Sequence, residues 1–411
     1  MVAGTDTAVV RRESPAVRWA KENLFSNWYN ALLTVIFGVL FLWGGFTLLR
    51  WVFFRAEWEI VRANLTLFMV GRFPRDELAR IWASNYLIAG AIGLMVGAST
   101  ASAAAAAKEA GLPFVRSRPR DWIQRFWPIL LLVAILLQFS RTWTPTVMVL
   151  GMVAVGVAAR YAGLNLPARV RRYAWLIMLI MLIGAYAALS WFGGVELDGW
   201  GGLHLTIFIT VAGILLAFPL GLLFALGRRS SLPLVRYLSV TYIEFIRGVP
   251  LITLLLMGAF ALLFLLPPGT QLGSVARLIV AIMLFTAAYV AENVRGGLQA
   301  VPKGQTEAGQ ALGLPAWKVM RLIVLPQALR AVIPAMVGQF ISLFKDTSLL
   351  VIVGIVELLQ VSSIANSQPE FLGKGLVDVT LPFVALIYWV GSYTMSRESR
   401  RLEKKLGVGE R

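Results

Sequence analysis

Lys345, Asp346 and Thr347 stand between two apolar runs, 331–344 and 349–356. A charge at the centre of a bilayer costs roughly 2.5–3.5 kcal/mol on insertion scales, so such residues face a cavity or a partner. Gln339, Ser342 and Asp346 follow i, i+3, i+7 spacing and make one polar stripe on a helix. These groups suit recognition rather than bond-making. Asp346 can accept from an ammonium, and Lys345 or Thr347 can serve a carboxylate, a set that fits a zwitterion. The same charges would equally form a structural ion pair or touch a second subunit, and these readings stay open in the sequence.

A second polar island is 307–326, EAGQALGLPAWKVMRLIVLP. Ala308, Ala311 and Leu312 offer small and apolar contacts at helical spacing. Glu307 is expected in the first turn, where a carboxylate meets the positive end of a helix. Gly313 reads as the helix stop, reinforced by Pro315. Arg247-Gly248-Val249-Pro250 opens an apolar run. Pro250 is tolerated near a helix start and Gly248 permits a bend, so the segment reads as a hinge or gate, or as a plain helix start. Glu292 and Arg295, three apart, are expected to pair with each other. No phosphate-binding G-x-x-x-x-G-K-[ST] pattern occurs, nor a catalytic triad. With no cysteine and the single histidine His204, thiol chemistry and a histidine metal cluster are excluded.

The elements that must hold these groups are membrane helices. The chain has 411 residues, 58 % hydrophobic and 14 % charged, against about 25 % charged in soluble domains; its mean hydropathy is +0.74. Continuous apolar runs recur, each long enough to cross roughly 30 Å of hydrocarbon as a helix, and their continuity argues against a barrel. Ten spans are expected, at about 29–53, 85–106, 126–140, 144–160, 173–192, 203–226, 237–266, 275–297, 328–353 and 379–396. The first 27 residues are polar and the first run is too long for a signal core, so no cleaved signal is expected. The small residues of 101–107, ASAAAAA, are expected to form a tightly packed helix end.

The net charge of +17 reads as a positive-inside bias rather than as affinity for nucleic acid. Basic residues gather in 107–125 (including Arg116 and Arg118), in 160–172, at Arg228, Arg229 and Arg236, at Lys303, Lys318 and Arg321, and in the tail from Arg397. With ten alternating spans all fall on one side, which puts both termini in the cytoplasm. The exception is 54–84, expected outside although it carries Arg55, Arg62, Arg72, Arg75 and Arg80.

Glu307, Ala308, Gly309, Gly313, Ile323, Leu325 and Pro326 together resemble the EAA motif of ABC importer permeases, E-A-A-x3-G-x9-I-x-L-P, with Gly309 in place of an alanine. Residues 244–252 (EFIRGVPLI), 288–306 (AYVAENVRGGLQAVPKGQT) and 345–350 (KDTSLL) are similar to the amino-acid branch of these permeases. WYNALLT, WEIVRANLTLFMVG and WGGLHLTIFIT resemble a permease of the general L-amino acid systems that carries a membrane extension.

The resemblance implies an all-α polytopic protein with a type I importer core in its C-terminal half. It divides the chain into an extension, 1–200, a transmembrane domain, 201–400, and a basic tail, 401–411. The EAA segment becomes the cytoplasmic coupling helix near 305–317, and the substrate pocket lies on the helix of Lys345 and Asp346. Many relatives hold a polar residue where this chain has Gly338. Two ATP-binding subunits would hold ATP and magnesium, leaving this chain non-catalytic and without a cofactor. Further implied partners are a related but different permease, an extracytoplasmic binding protein and the L-amino acid itself, all at a bacterial cytoplasmic membrane. The alternative is a secondary amino-acid transporter acting without an ATPase, which would repeat coupling acids and broken helices in both halves; the charged pair occurs in one half only.

Overall fold

The computed structural model describes residues 14–114, 119–191, 193–267, 269–270 and 272–407. Arg116, Arg118 and the end of the tail, 408–411, lie outside the described residues. Among the described residues the regular structure is helical, with one isolated bridge between Gly202 and Glu357. Contacts divide the chain into Met1–Trp58 and Glu59–Arg411.

In the first unit, α1 (Pro15–Asn23) starts on Ser14, whose hydroxyl accepts from the Val17 N–H. Pro15 takes an early helical position where a missing N–H costs nothing. α2 (Trp28–Phe54) is apolar all round and buries none of its residues. Trp58 folds back at its end, with Nε1 donating to the Val52 carbonyl at 2.7 Å.

The second unit contains α3 (Glu59–Val70), α4 (Leu78–Glu109), α5 (Pro119–Phe139), α6 (Thr144–Asn165), α7 (Ala174–Ser190), α8 (Gly202–Gly227), α9 (Pro233–Gly248), α10 (Leu251–Leu265), α11 (Ser274–Ala300), α12 (Lys303–Ala311), α13 (Ala316–Val353), α14 (Leu358–Asn366) and α15 (Val377–Leu406). α11 is the central post: α8, α9, α10 and α13 all pack on it. Its small residues Ala281, Ala287, Ala288, Ala291 and Gly297 are buried, which lets neighbouring backbones approach where apolar surface alone gives no preference over lipid. Asp198 caps its first turn from a distant loop, accepting from the Ser274 and Val275 N–H groups at 2.8 and 2.9 Å.

All ten expected apolar segments are helical, but two differ in form. Eight are helices long and apolar enough to cross a membrane. The stretch 237–266 is not one straight span: α9 and α10 meet at 105°. Val249 there is extended, as a residue before proline prefers, and so breaks the helix. The stretch 173–192 forms only the 17 residues of α7, near the lower limit for a span. Runs 126–140 and 144–160 are separate helices. α5 is kinked at Phe126, two residues before Pro128, whose ring cannot bond the Gln124 carbonyl four residues back.

Segment 54–84 is no free loop. α3 buries Ile60, Val61, Asn64, Phe68 and Val70 against α8, α14 and α15. Asn64 and Gln368 exchange reciprocal amide hydrogen bonds at 3.2 and 2.7 Å, and Phe68 meets Phe383 edge-on. Arg80 pairs with Glu77 and reaches the Ala188 carbonyl, and Arg75 bonds the Gly71 carbonyl, so these two serve contacts within the fold. The small-residue seam also differs from expectation. Residues 101–107 are largely exposed, and the tight contact lies upstream, where Gly93 and Gly97 of α4 meet α6 backbone. An alanine methyl cannot fit there: a Cβ on Gly97 would lie 2.2 Å from the Arg160 carbonyl oxygen.

Candidate coupling and translocation sites

α12 stands between two long helices and presents Glu307, Ala308, Gln310, Ala311 and Leu312 to solvent; Leu312 is 80 % exposed. Its end is a Schellman turn: Gly313 N–H bonds the Gln310 carbonyl at 2.9 Å and Leu314 N–H bonds the Gly309 carbonyl at 3.2 Å. Gly313 sits at φ +76°, which explains a glycine there. The helix begins earlier than expected, at Lys303 behind Pro302, so Glu307 lies beyond the first turn rather than within it. Its carboxylate is therefore part of the exposed face, not a dipole partner. Gly309 is buried, and a Cβ there would lie 3.0 Å from Val319 and Ile323 of α13. The step from alanine to glycine thus draws α12 close onto the foot of α13. That foot contains a π-turn, Met320–Val324, directly before Leu325 and Pro326. The wider turn accommodates the proline ring and its missing N–H.

Arg247, Gly248 and Pro250 stand at the 105° bend. Arg247 Nη1 lies 3.7 Å from Glu292 and 4.0 Å from Glu244, with its guanidinium 5.8 Å from the Tyr289 ring centre. Glu292 also takes two bonds from Arg295, as the spacing suggests, and Arg228, the residue that follows α8, bonds Glu244 at 2.8 Å. Three arginines and two glutamates thus tie the bend to α8 and α11.

On α13 the stripe is only partly assembled. Ala331, Ala335, Gly338 and Lys345 are exposed along one side with Ser342 and Gln339 half-buried, and nothing lies near a Cβ on Gly338. Small and polar residues on an open helix side suit a passage better than lipid. Adjacent residues point about 100° apart, and among the described residues no salt bridge joins Lys345 to Asp346. Lys345 lines a cavity of about 500 Å³ with Ser348, Tyr388 and Ser392, whereas Asp346 is half-buried outside that lining. Thr347 is fully buried; its hydroxyl donates to the Phe344 carbonyl at 2.7 Å and lies 3.3 Å from the Tyr388 hydroxyl.

One polar centre escaped the sequence reading. Glu357 is fully buried ahead of α14, where its carboxylate accepts from the Leu359 and Gln360 N–H groups at 2.7 and 2.8 Å and from the Tyr388 hydroxyl at 3.1 Å. Burial pushes its carboxyl up to about 7 against the pull of those three donors. Leu358 N–H in turn bonds the Thr206 hydroxyl, so α8, α13, α14 and α15 meet at this point. An acid one residue before Leu-Leu-Gln was the available capping signal.

Residues 217–408 match the family described as binding-protein-dependent transport system inner membrane component. The chain is 37 % identical to the inner membrane amino-acid ABC transporter permease protein YhdY of Escherichia coli, over 96 % of this chain and 94 % of that protein. It is 35 % identical to the glutamate/glutamine/aspartate/asparagine transport system permease protein BztC of Rhodobacter capsulatus, over 95 % and 94 %. Among solved structures, an amino acid ABC transporter with histidines aligns at TM-score 0.45 and 29 % identity, over 50 % of this chain and 92 % of that one. Identity at this level over nearly the whole of two such proteins, extension included, means that the chain belongs to the permease subunits of amino-acid ABC transporters.

Proposed function

We propose that this chain is the permease subunit through which L-amino acids, delivered by an extracytoplasmic binding protein, cross a bacterial cytoplasmic membrane. Two ATP-binding subunits hold ATP and magnesium, one of them docks on α12, and a related but different permease completes the passage. Both termini face the cytoplasm. Residues 1–200 act as an extension, 201–400 as the translocating domain and 401–411 as a tail, a division by role rather than by packing.

The observation that carries this reading is α12: a short, capped helix whose exposed face joins Glu307 to Leu312 while its buried Gly309 rests on α13. Docking on that face therefore acts on the helix that bears Lys345 and Asp346. Movement follows only if the ATP-bound partner contacts the two states of the permease differently. The bend at Arg247, Gly248 and Pro250 is the hinge, and Gln339, Ser342, Lys345, Asp346 and Thr347 mark the substrate-facing helix. Asp346 takes the ammonium. Lys345 serves the carboxylate, since Thr347 is committed to its own helix.

The test is uptake of labelled L-amino acids by proteoliposomes of the whole complex. Glu307→Lys is expected to leave assembly intact and lower ATP-linked uptake by about tenfold or more, the cost of one contact of about 1.4 kcal/mol. Uptake at the wild-type level would overturn the coupling role. Asp346→Asn is expected to lose uptake while stimulated ATP hydrolysis persists.

A further inference from the structure

A cavity of about 650 Å³ opens between α5, α13 and the last turns of α15. Basic side chains line one part of it: Arg125, Arg401 and Lys404. Val337, midway along α13, and Met395, about 13 Å before Lys404 on α15, line the rest. The lining thus combines charged groups with apolar ones, Leu402 beside the basic residues and Val337 and Met395 away from them.

One of the three cations of this lining lacks a counter-charge. Glu398 binds both Arg125, through Nε at 2.7 Å, and Arg401 at 2.7 Å, and Asp121 is the other acid of the lining. Lys404 has no ion-pair partner among the described residues. Pro128 frees the Gln124 carbonyl, and Arg397 takes it with Nη2 at 2.9 Å, while Arg397 Nη1 is buried with no acceptor. Lys404 is thus the cation of the lining without a counter-charge, and an anionic oxygen supplies one.

We propose that this joint is a binding site for an anionic phospholipid, whose phosphate meets Lys404, Arg401 and Arg125 and whose acyl chain lies along Met395 and Val337. Basic pockets between membrane helices are known to take such headgroups. A soluble anion would leave the apolar part unused, and a zwitterionic lipid would bring its own cation to the basic end. The lipid then acts as a filler between the extension helix α5 and the core helix α15.

The test uses the purified full complex, stripped of lipid in detergent and titrated with phosphatidylglycerol, phosphatidylcholine or inorganic phosphate. Bound lipid is counted by native mass spectrometry and melting is followed in parallel. Phosphatidylglycerol is expected to be retained and to raise the melting temperature, and the other two are not. Lys404→Gln, at an exposed position, is expected to weaken phosphatidylglycerol binding about fivefold, the worth of one cation near an anionic headgroup. Val337→Phe, which fills the apolar part, is expected to reduce retention with the basic end intact. Equal retention of both lipids, or binding unchanged in both variants, would overturn the proposal. Stabilisation by inorganic phosphate alone would overturn it in favour of a free-anion site. None of these readouts depends on which solute is transported.

Discussion

The glycines of α4 and α6 and those of α2 are alike in sequence and opposite in surroundings. A Cβ on Gly93 would lie 2.1 Å from the Gly156 carbonyl oxygen, and one on Gly163 would lie 2.3 Å from that of Leu94. On Gly38, Gly44 and Gly45 a Cβ would meet nothing within 4 Å. Both helices are apolar enough to span a bilayer, with hydropathies of 1.7 for α4 and 2.3 for α2. Hydropathy therefore reports the solvent a helix tolerates and says nothing about what it touches. Packing in lipid is set by whether small residues on one helix face small residues on another.

The comparison breaks first at its tightest contact. Gly97→Val is expected to cost 3 kcal/mol or more, at or beyond the usual overpacking range of about 1–3 kcal/mol, because the obstacle is backbone. Thermal melting of the purified complex would register this as a large fall or as loss of folded protein. Unchanged melting would mean that α4 and α6 do not touch.

The packed side is sharpened by Glu357. Its carboxyl is held at about 7 in the fold against an ordinary 4.5, so the folded state binds more protons between those values. Stability is then greatest below about pH 4.5, declines as pH rises towards 7 and is flat above, by about 3 kcal/mol in all. Melting curves at pH 5 and pH 8 should differ in the wild type and converge in Glu357→Gln. A pH difference that survives the substitution would assign the titration to another group.

At the small end, Gly44→Val is expected to change stability by less than about 0.5 kcal/mol, as at other positions that touch nothing. A large effect would reveal a neighbour for α2 and erase the contrast.

Much of the functional architecture was legible from punctuation. Gly313 and Pro315 announced the end of α12, and Gly248-Val249-Pro250 announced a bend or a helix start, because each acts through its own backbone. The size of that break, 105°, was not legible, since it depends on what the flanking helices pack against. Lys345, Asp346 and Thr347 were read as one set, yet Lys345 and Asp346 separate because neighbours on a helix diverge. Glu357 went unremarked because its significance comes from Thr206 and Tyr388, 151 positions before it and 31 after it in the chain. Likewise 54–84 looked like a charged outer loop, and its joining to the core shows only in contacts distant in sequence, such as the Asn64–Gln368 amide pair and Phe68 on Phe383.

α13 is 38 residues long, about 57 Å of helix, and so outreaches a hydrocarbon layer of roughly 30 Å. Gly309 rests on its foot and Lys345 lies near its head. A rod of that length that tilts about a point midway along it moves its two ends by similar distances in opposite senses, so a push at the foot would be read at the head.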